Sequence, residues 1–154
     1  MTSPPIPTWR GCAVPDGLLY DLDFDVWLRV DGVEVVVGMT DVAQTRGGRL
    51  VQVGWKKPGS HVSRGRPLAV IESAKWVGPM LSPLTGVVVA NNQAEFERDI
   101  AVANRDPYGL GWFYRLQPSR FDVERVWLTG ASAAFEHYRQ LVDAEGITCM
   151  RCSD

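Results

Sequence analysis

Several features that would place a protein quickly in a functional class are missing from this sequence. Its 154 residues contain no run of about 18 apolar residues, so no membrane-spanning helix is predicted. Lysine and arginine (16 together) nearly balance aspartate and glutamate (18) and form no basic stripe, which argues against a nucleic-acid partner. The N-terminus lacks the charged-then-apolar pattern of a signal peptide, so we expect a cytoplasmic location.

Histidine and cysteine are also scarce. The two histidines, His61 and His137, show neither a catalytic triad nor metal-ligand spacing, so we predict no metal site and no enzyme active site. Three cysteines do not suggest a disulfide scaffold, and Cys12 stands alone. Cys149 and Cys152 form a Cys-x-x-Cys pair, which can close a disulfide, act as a redox pair or remain a reduced tail without a role.

What the chain does contain is typical of a β protein of one domain. Fifteen glycines and ten prolines predict many turns between short strands. Residues 1–16 are rich in proline and predict an irregular arm, and residues 17–128 predict a β domain. A helix over residues 129–146 is expected to pack on this domain, and residues 147–154 form a tail.

Helical signals occur at two places. Thr40 can cap a short helix near residues 41–46. A longer amphipathic helix of about residues 130–145 is predicted, with Thr129 at its N-cap and Gly146 just past its end. Its apolar side chains recur at helical spacing and are Ala131, Ala134, Phe135, Tyr138, Leu141 and Val142.

One lysine lies in a setting that predicts exposure. Residues 68–71 and 87–89 are apolar, rich in β-branched side chains, and predict two strands of a hairpin. Residues 72–75 between them are polar and predict a tight turn, which would place Lys75 at its tip. From these local residues alone, a solvated turn lysine without a function is the favoured interpretation.

Five motifs, in order along the chain, resemble the H-protein family of the glycine cleavage system. They are residues 37–44 (Val-Gly-Met-Thr-Asp-Val-Ala-Gln), Gly59 with Val62, residues 72–75 (Glu-Ser-Ala-Lys), residues 82–86 (Ser-Pro-Leu-Thr-Gly) and residues 104–112 (Asn-Arg-Asp-Pro-Tyr-Gly-Leu-Gly-Trp). The resemblance spans about residues 18–145. It implies the lipoyl/biotinyl fold, a flattened β-barrel sandwich in which a lysine at a turn carries a cofactor.

By this resemblance, Lys75 would bear covalently attached lipoate. Glu72 would help a lipoate-attaching enzyme to recognise the turn that Ser73 and Ala74 complete. Biotin is less expected, because biotin carriers have methionine on both sides of the lysine, whereas this chain has Ala74 and Trp76. The protein would then be a non-catalytic carrier whose cofactor supplies the chemistry. An unmodified binding or relay module is the alternative from another class.

The chain also departs from the family pattern. Where H-proteins carry His-Glu-Trp, residues 24–27 are Phe-Asp-Val-Trp, and a small residue after the lysine is replaced by Trp76. Two interpretations of Trp76 are open. Its ring could shield the dithiolane ring of the lipoyl group or contact a partner, or it could fold onto its own sheet without a functional role.

The departures, together with the Cys-x-x-Cys tail, resemble the lipoate-binding protein of the bacterial heterodisulfide-reductase-like sulfur-oxidation system. We therefore expect a carrier in sulfur oxidation that works with a heterodisulfide-reductase-like complex. The alternative is an aminomethyl carrier of glycine cleavage, with glycine decarboxylase, aminomethyltransferase and dihydrolipoamide dehydrogenase as partners.

Overall fold

Two antiparallel sheets and a C-terminal helix make up most of the molecule, for which a computed structural model describes residues 6–149. The strands within these residues are β1 (Thr8–Trp9), β2 (Cys12–Ala13), β3 (Leu19–Asp21), β4 (Val26–Asp31), β5 (Glu34–Met39), β6 (Leu50–Trp55), β7 (His61–Val62), β8 (Pro67–Ser73), β9 (Val77–Leu81), β10 (Gly86–Asn91) and β11 (Tyr114–Pro118). The helices are α1 (Asp41–Gly47), α2 (Gln93–Arg98), α3 (Val102–Arg105), α4 (Phe121–Glu124) and α5 (Ala131–Glu145), and a 3-10 turn spans Arg125–Trp127.

The larger sheet has six strands in the order β3-β4-β5-β11-β10-β7, and the smaller has three in the order β6-β8-β9. Side chains alternate between the two faces of each strand, so every second residue of a strand points into the space between the sheets. Leu28 and Val37 of the larger sheet share one buried cluster with Val53 and Ile71 of the smaller. The predicted mostly β sandwich with a short and a long helix is confirmed.

The partner of the strand before the lysine differs from the predicted one. Strand β8 pairs with β9, whose residues follow directly after the turn, whereas residues 87–89 lie in β10 of the other sheet. The predicted hairpin of residues 68–71 with 87–89 is therefore wrong. Strand β9 is hard to recognise in the sequence because it contains Gly78 and Pro79, and both residue types are uncommon in strands. Proline is tolerated there because β9 is an edge strand.

Both helices have identifiable ends. The Thr40 hydroxyl accepts a hydrogen bond from the Ala43 N–H at 3.2 Å and caps α1 as predicted. Helix α5 ends at Gly146, whose φ of 67° lies in the left-handed region that favours glycine. Its N-cap is Gly130 instead of the predicted Thr129, because the backbone of Thr129 pairs with Tyr20 of β3 through two hydrogen bonds.

Helix α5 lies on the outer face of the six-stranded sheet. Trp27 and Val36 alternate with the inward-facing residues of β4 and β5, so they point away from the space between the sheets. They share a second buried cluster with Ala134, Tyr138 and Val142 of the helix. The amphipathic stripe of α5 thus buries itself on this face.

The N-terminal arm is more regular than its prolines suggested. Strands β1 and β2 form a small hairpin, so the expectation of an irregular arm is wrong for residues 8–13. A disulfide joins Cys12 to Cys149, so Cys149 is not free to pair with Cys152 as the Cys-x-x-Cys spacing allowed. The Ala13 N–H donates to an Asp41 carboxylate oxygen at 2.8 Å, which ties the arm to α1. Cys152 lies outside the described residues.

A close contact between Trp27 and Gly38 gives a stability prediction. The two residues face each other across β4 and β5, and a Cβ added at Gly38 would lie 2.6 Å from three atoms of the indole ring. Trp27 is fully buried and its Nε1 donates to the Pro107 carbonyl at 3.0 Å, so the ring cannot easily move. We expect Gly38→Ala to lower the free energy of unfolding by about 2 kcal/mol, measured by urea denaturation.

Gly54→Ala is the matched control for this prediction. Gly54 also lies in a strand, but a Cβ there would meet its neighbours at an ordinary 3.6 Å. The free energy of unfolding should stay within about 0.5 kcal/mol of the wild-type value. Equal effects of the two substitutions would contradict the proposed contact.

None of the helices within residues 6–149 is long and apolar enough to cross a membrane. The cytoplasmic location stays a prediction.

Candidate functional site

Lys75 lies in the turn between β8 and β9, and its side chain is exposed. Hydrogen bonds around Ser73 hold this turn: its N–H and its hydroxyl both donate to the Trp76 carbonyl, at 2.8 and 3.1 Å. The same hydroxyl lies 2.5 Å from the Gly47 carbonyl, and the Ala74 N–H donates to the Arg49 carbonyl at 2.9 Å. The lysine is therefore presented by a turn that is fixed on both sides.

The stem of Lys75 lies against the end of α1. A Cβ added at Gly48 would lie 3.5 Å from both Cγ and Cδ of the lysine, and Gly48 has a φ of 80°. Within the described part of the chain, no hydrogen bond or ion pair joins the Lys75 ammonium. The amine is thus accessible for modification.

A groove of about 460 Å³ opens beside Lys75, and we call it the lysine groove. It lies between α1, β9 and the turn that joins β3 to β4. Most of its lining is apolar and comes from Phe24, Met39, Ala43, Trp76, Pro79, Met80 and Leu81. Its charged residues are Asp23, Asp25, Arg46 and Lys75 itself.

Asp25 is engaged by two neighbours. Arg46 Nη1 lies 3.3 Å from one carboxylate oxygen, and the Tyr138 hydroxyl donates to the other at 2.9 Å. Burial raises the pKa of Asp25, and the Tyr138 hydrogen bond and the Arg46 charge oppose this shift only in part. Burial also raises the pKa of Tyr138, which keeps its hydroxyl protonated as a donor. Helix α5 is thereby connected to the rim of the lysine groove.

The other residues predicted to belong to the site differ in their burial and in whether they line the lysine groove. Ser73 is buried beneath the turn, and Ala74 is exposed within it. Glu72 is exposed on β8 and is paired with Gln52 and Val77 of the neighbouring strands, away from the groove lining. Trp76 lines the groove.

Cys149 is a member of the second buried cluster and does not line the groove. The redox role of Cys149 and Cys152 stays a prediction.

Sequence reasoning missed most of the groove lining. Arg46 was noted only as the end of a predicted short helix, and Met80 was not singled out. Phe24 and Asp25 carried a signal, because they stand where the family pattern has other residues. Nothing in the sequence alone indicated that these positions meet beside Lys75.

The Ser73 hydroxyl is the most directly testable support of the lysine turn. We expect Ser73→Ala to lower the free energy of unfolding by about 1 kcal/mol, because the Gly47 and Trp76 carbonyls lose a shared donor. The rate of lipoylation at Lys75 should also fall, because the attaching enzyme would meet a looser turn. Urea denaturation and timed mass measurements test the two effects.

Ser63→Ala is the control, since Ser63 is exposed and its hydroxyl has no recorded hydrogen bond in the described structure. An equal fall in lipoylation rate for both variants would contradict the role assigned to Ser73.

Within residues 6–149, no group of three histidine, cysteine, aspartate or glutamate side chains is placed to hold a metal ion.

The two-sheet sandwich and its lysine turn define the class of lipoyl-type β-sandwich domains.

Comparison with known proteins identifies the family within this class of domains. The glycine cleavage H-protein family model matches residues 18–141. A probable glycine cleavage system H protein 2 of Sulfolobus acidocaldarius is 40% identical over 143 residues, which cover 91% of this chain and 95% of that protein. Glycine cleavage system H protein 2 of Aquifex aeolicus is 35% identical over 146 residues, or 94% and 89% of the two chains.

A solved structure gives the same result. The crystal structure of a glycine cleavage system H protein from Mycobacterium marinum superposes with a TM-score of 0.65 at 29% identity, and covers 87% of this chain and 100% of that one. The chain belongs to the glycine cleavage H-protein family.

Proposed function

We propose that this protein is the aminomethyl carrier of a glycine cleavage system and bears lipoate on Lys75. It would serve glycine decarboxylase, aminomethyltransferase and dihydrolipoamide dehydrogenase in turn. The observation that carries the proposal is the exposed, unpaired amine of Lys75 on a fixed turn beside the lysine groove. Proteins of this family carry covalently attached lipoate and act as carriers, which agrees with this assignment.

The residues around Lys75 fit a lipoyl group. Gly48 lies beside the stem of the lysine, where an added Cβ would make ordinary contact at 3.5 Å, and its positive φ favours glycine at this position. Phe24, Met39 and Met80 supply an apolar wall that suits a hydrocarbon chain and a sulfur heterocycle. The lipoyl group itself would supply a redox-active disulfide at the end of a flexible arm.

The charges of the groove favour a cationic cargo once the lysine is modified. Lys75 and Arg46 balance Asp23 and Asp25 in the unmodified protein, two charges against two. Acylation turns the Lys75 ammonium into a neutral amide, which leaves the groove with a net charge of −1. Asp25 is already engaged by Arg46 and Tyr138, so Asp23, which is exposed, would remain to attract an amine.

The protein would contribute tethering and presentation. A short flexible tether raises the concentration of its end group at a partner site to the order of millimolar. The stiff turn gives the attaching enzyme a fixed shape to recognise, and Glu72 is proposed to be part of that recognition because its exposed side chain lies on the strand leading into the turn.

The sulfur-oxidation role expected from the sequence becomes the second candidate. The relatives reported above are named for glycine cleavage, which favours the aminomethyl role. Trp76 in the groove wall is the feature that keeps a sulfur cargo and a heterodisulfide-reductase-like partner as an alternative.

A loading experiment distinguishes these functions. The full chain is incubated with lipoate and a lipoate-attaching enzyme, and its intact mass is measured. The lipoylated protein is then incubated with glycine decarboxylase and glycine labelled at its methylene carbon, because the carboxyl carbon leaves as CO2 and the methylene carbon goes to the carrier. Label on the protein is the expected result. Lipoylated protein that takes up no label would contradict the aminomethyl role, and a chain that gains no lipoyl group would point to an unmodified relay module.

A further inference from the structure

Trp76, the residue that follows the lysine, packs against the neighbouring strand β9. Its ring lies against Gly78 of β9, where an added Cβ would lie 2.4 Å from Cζ2 and 2.7 Å from Cε2 of the indole. Only glycine leaves room for the ring in this position. The side chain is nevertheless 41% exposed and lines the lysine groove. Trp76 is therefore folded onto its own sheet and still available to a ligand in the groove.

The indole is held there by its backbone and by packing. The Trp76 carbonyl accepts two hydrogen bonds from Ser73, which fix the chain at this residue. No acceptor for the indole N–H is recorded in the described structure, so the contact with Gly78 positions the ring. A ring that is already in place loses little conformational freedom when a ligand packs against it.

The neighbours of the indole determine which ligand it suits. Met39, Met80 and Phe24 line the same groove, so the ring shares this lining with other apolar side chains, two of which contain sulfur. Divalent sulfur makes favourable contacts with aromatic rings. A cyclic disulfide at the end of an aliphatic arm presents the sulfur and hydrocarbon surface that this wall can bury.

We propose that Trp76, seated on Gly78, binds the dithiolane ring when the arm on Lys75 folds back into the lysine groove, and thereby limits the access of small reductants to its disulfide. The inference rests on the proposed lipoylation of Lys75. It assigns Trp76 a positioning role that a small residue after the lysine could not fill.

The test measures how fast a water-soluble phosphine reduces the arm in the full lipoylated chain. The phosphine is oxidised to its oxide with oxygen from water, and the disulfide gains two electrons and two protons to become two thiols. Trapping these thiols and analysing the Lys75 peptide by mass separates them from the Cys12–Cys149 disulfide. We expect Trp76→Ala to accelerate reduction by about threefold to tenfold, the effect of losing one sulfur–aromatic contact.

Three further variants distinguish binding from general loosening. Trp76→Phe keeps an aromatic face and should restore most of the protection. Gly78→Ala keeps the indole but displaces it, and should accelerate reduction. Trp127→Ala removes an exposed indole outside the groove lining and should leave the rate unchanged.

Two outcomes would overturn the inference. Reduction of fully lipoylated Trp76→Ala at the wild-type rate or slower would refute the role of Trp76 and leave the carrier function intact. A wild-type chain that gains no lipoyl group at Lys75 would refute both. The mass measured before reduction tells these two results apart.

Discussion

Lys75→Arg is expected to abolish lipoylation and to leave the fold unchanged. A guanidinium keeps the positive charge of the side chain, but it stays protonated and does not act as the acyl acceptor that an amine provides. The side chain is exposed and has no recorded partner in the described structure, so the free energy of unfolding should change by less than about 0.5 kcal/mol. Intact mass after incubation with lipoate and an attaching enzyme measures the first effect, and urea denaturation measures the second.

The chain provides good controls, because it contains only three lysines. Lys56 and Lys57 follow β6 in a turn that is not part of the lysine groove. Lys56→Arg and Lys57→Arg should each be lipoylated as completely as the wild type. A lipoyl group on Lys75→Arg, or its loss from either control, would show that the attachment site is misassigned.

Local signals explain why the lysine turn and the helices could be predicted. A polar turn after a run of β-branched residues placed Lys75, and capping residues placed α1 and the end of α5 within a residue or two. The partner strand of β8 could not be predicted in this way. Val77–Leu81 contains Gly78 and Pro79, and only its position at a sheet edge makes these residues acceptable in a strand.

The lysine groove was beyond prediction for a different reason. Its lining combines the turn after β3, the end of β5, helix α1 and strand β9. Each of these segments has a local pattern, but their meeting depends on how the two sheets pack. The same holds for Trp76: the sequence left two interpretations open, and the distance to Gly78 shows how the ring lies.

The disulfide is the clearest long-range feature, since it joins residues 137 positions apart. Cys12→Ser is expected to lower the free energy of unfolding by about 4 kcal/mol, because an intact crosslink of this span restricts the unfolded chain. The midpoint of thermal unfolding should fall by about 10 °C for a chain of this length. The hydrogen bond from the Cys149 N–H to the Arg10 carbonyl should weaken, whereas the arm should keep its contact with α5 because the Trp9 indole donates to Asp143.

Cys152→Ser is the control that decides which pair forms. If Cys149 is bonded to Cys12, this variant keeps the wild-type melting temperature, and peptide mapping without reductant recovers a crosslinked Cys12–Cys149 peptide. If the Cys149–Cys152 pair forms instead, Cys152→Ser loses the crosslink and Cys12→Ser keeps it.

The burial of the disulfide should also affect the rate at which it is reduced. Thiol–disulfide exchange requires access to a sulfur atom, and both cysteines are almost fully buried. A thiol reductant should therefore cleave the native disulfide slowly and cleave it rapidly in urea. Such protection would allow the crosslink to persist in a reducing compartment, where disulfides are otherwise rare. Rapid reduction of the native protein would instead favour a role for these cysteines in thiol exchange.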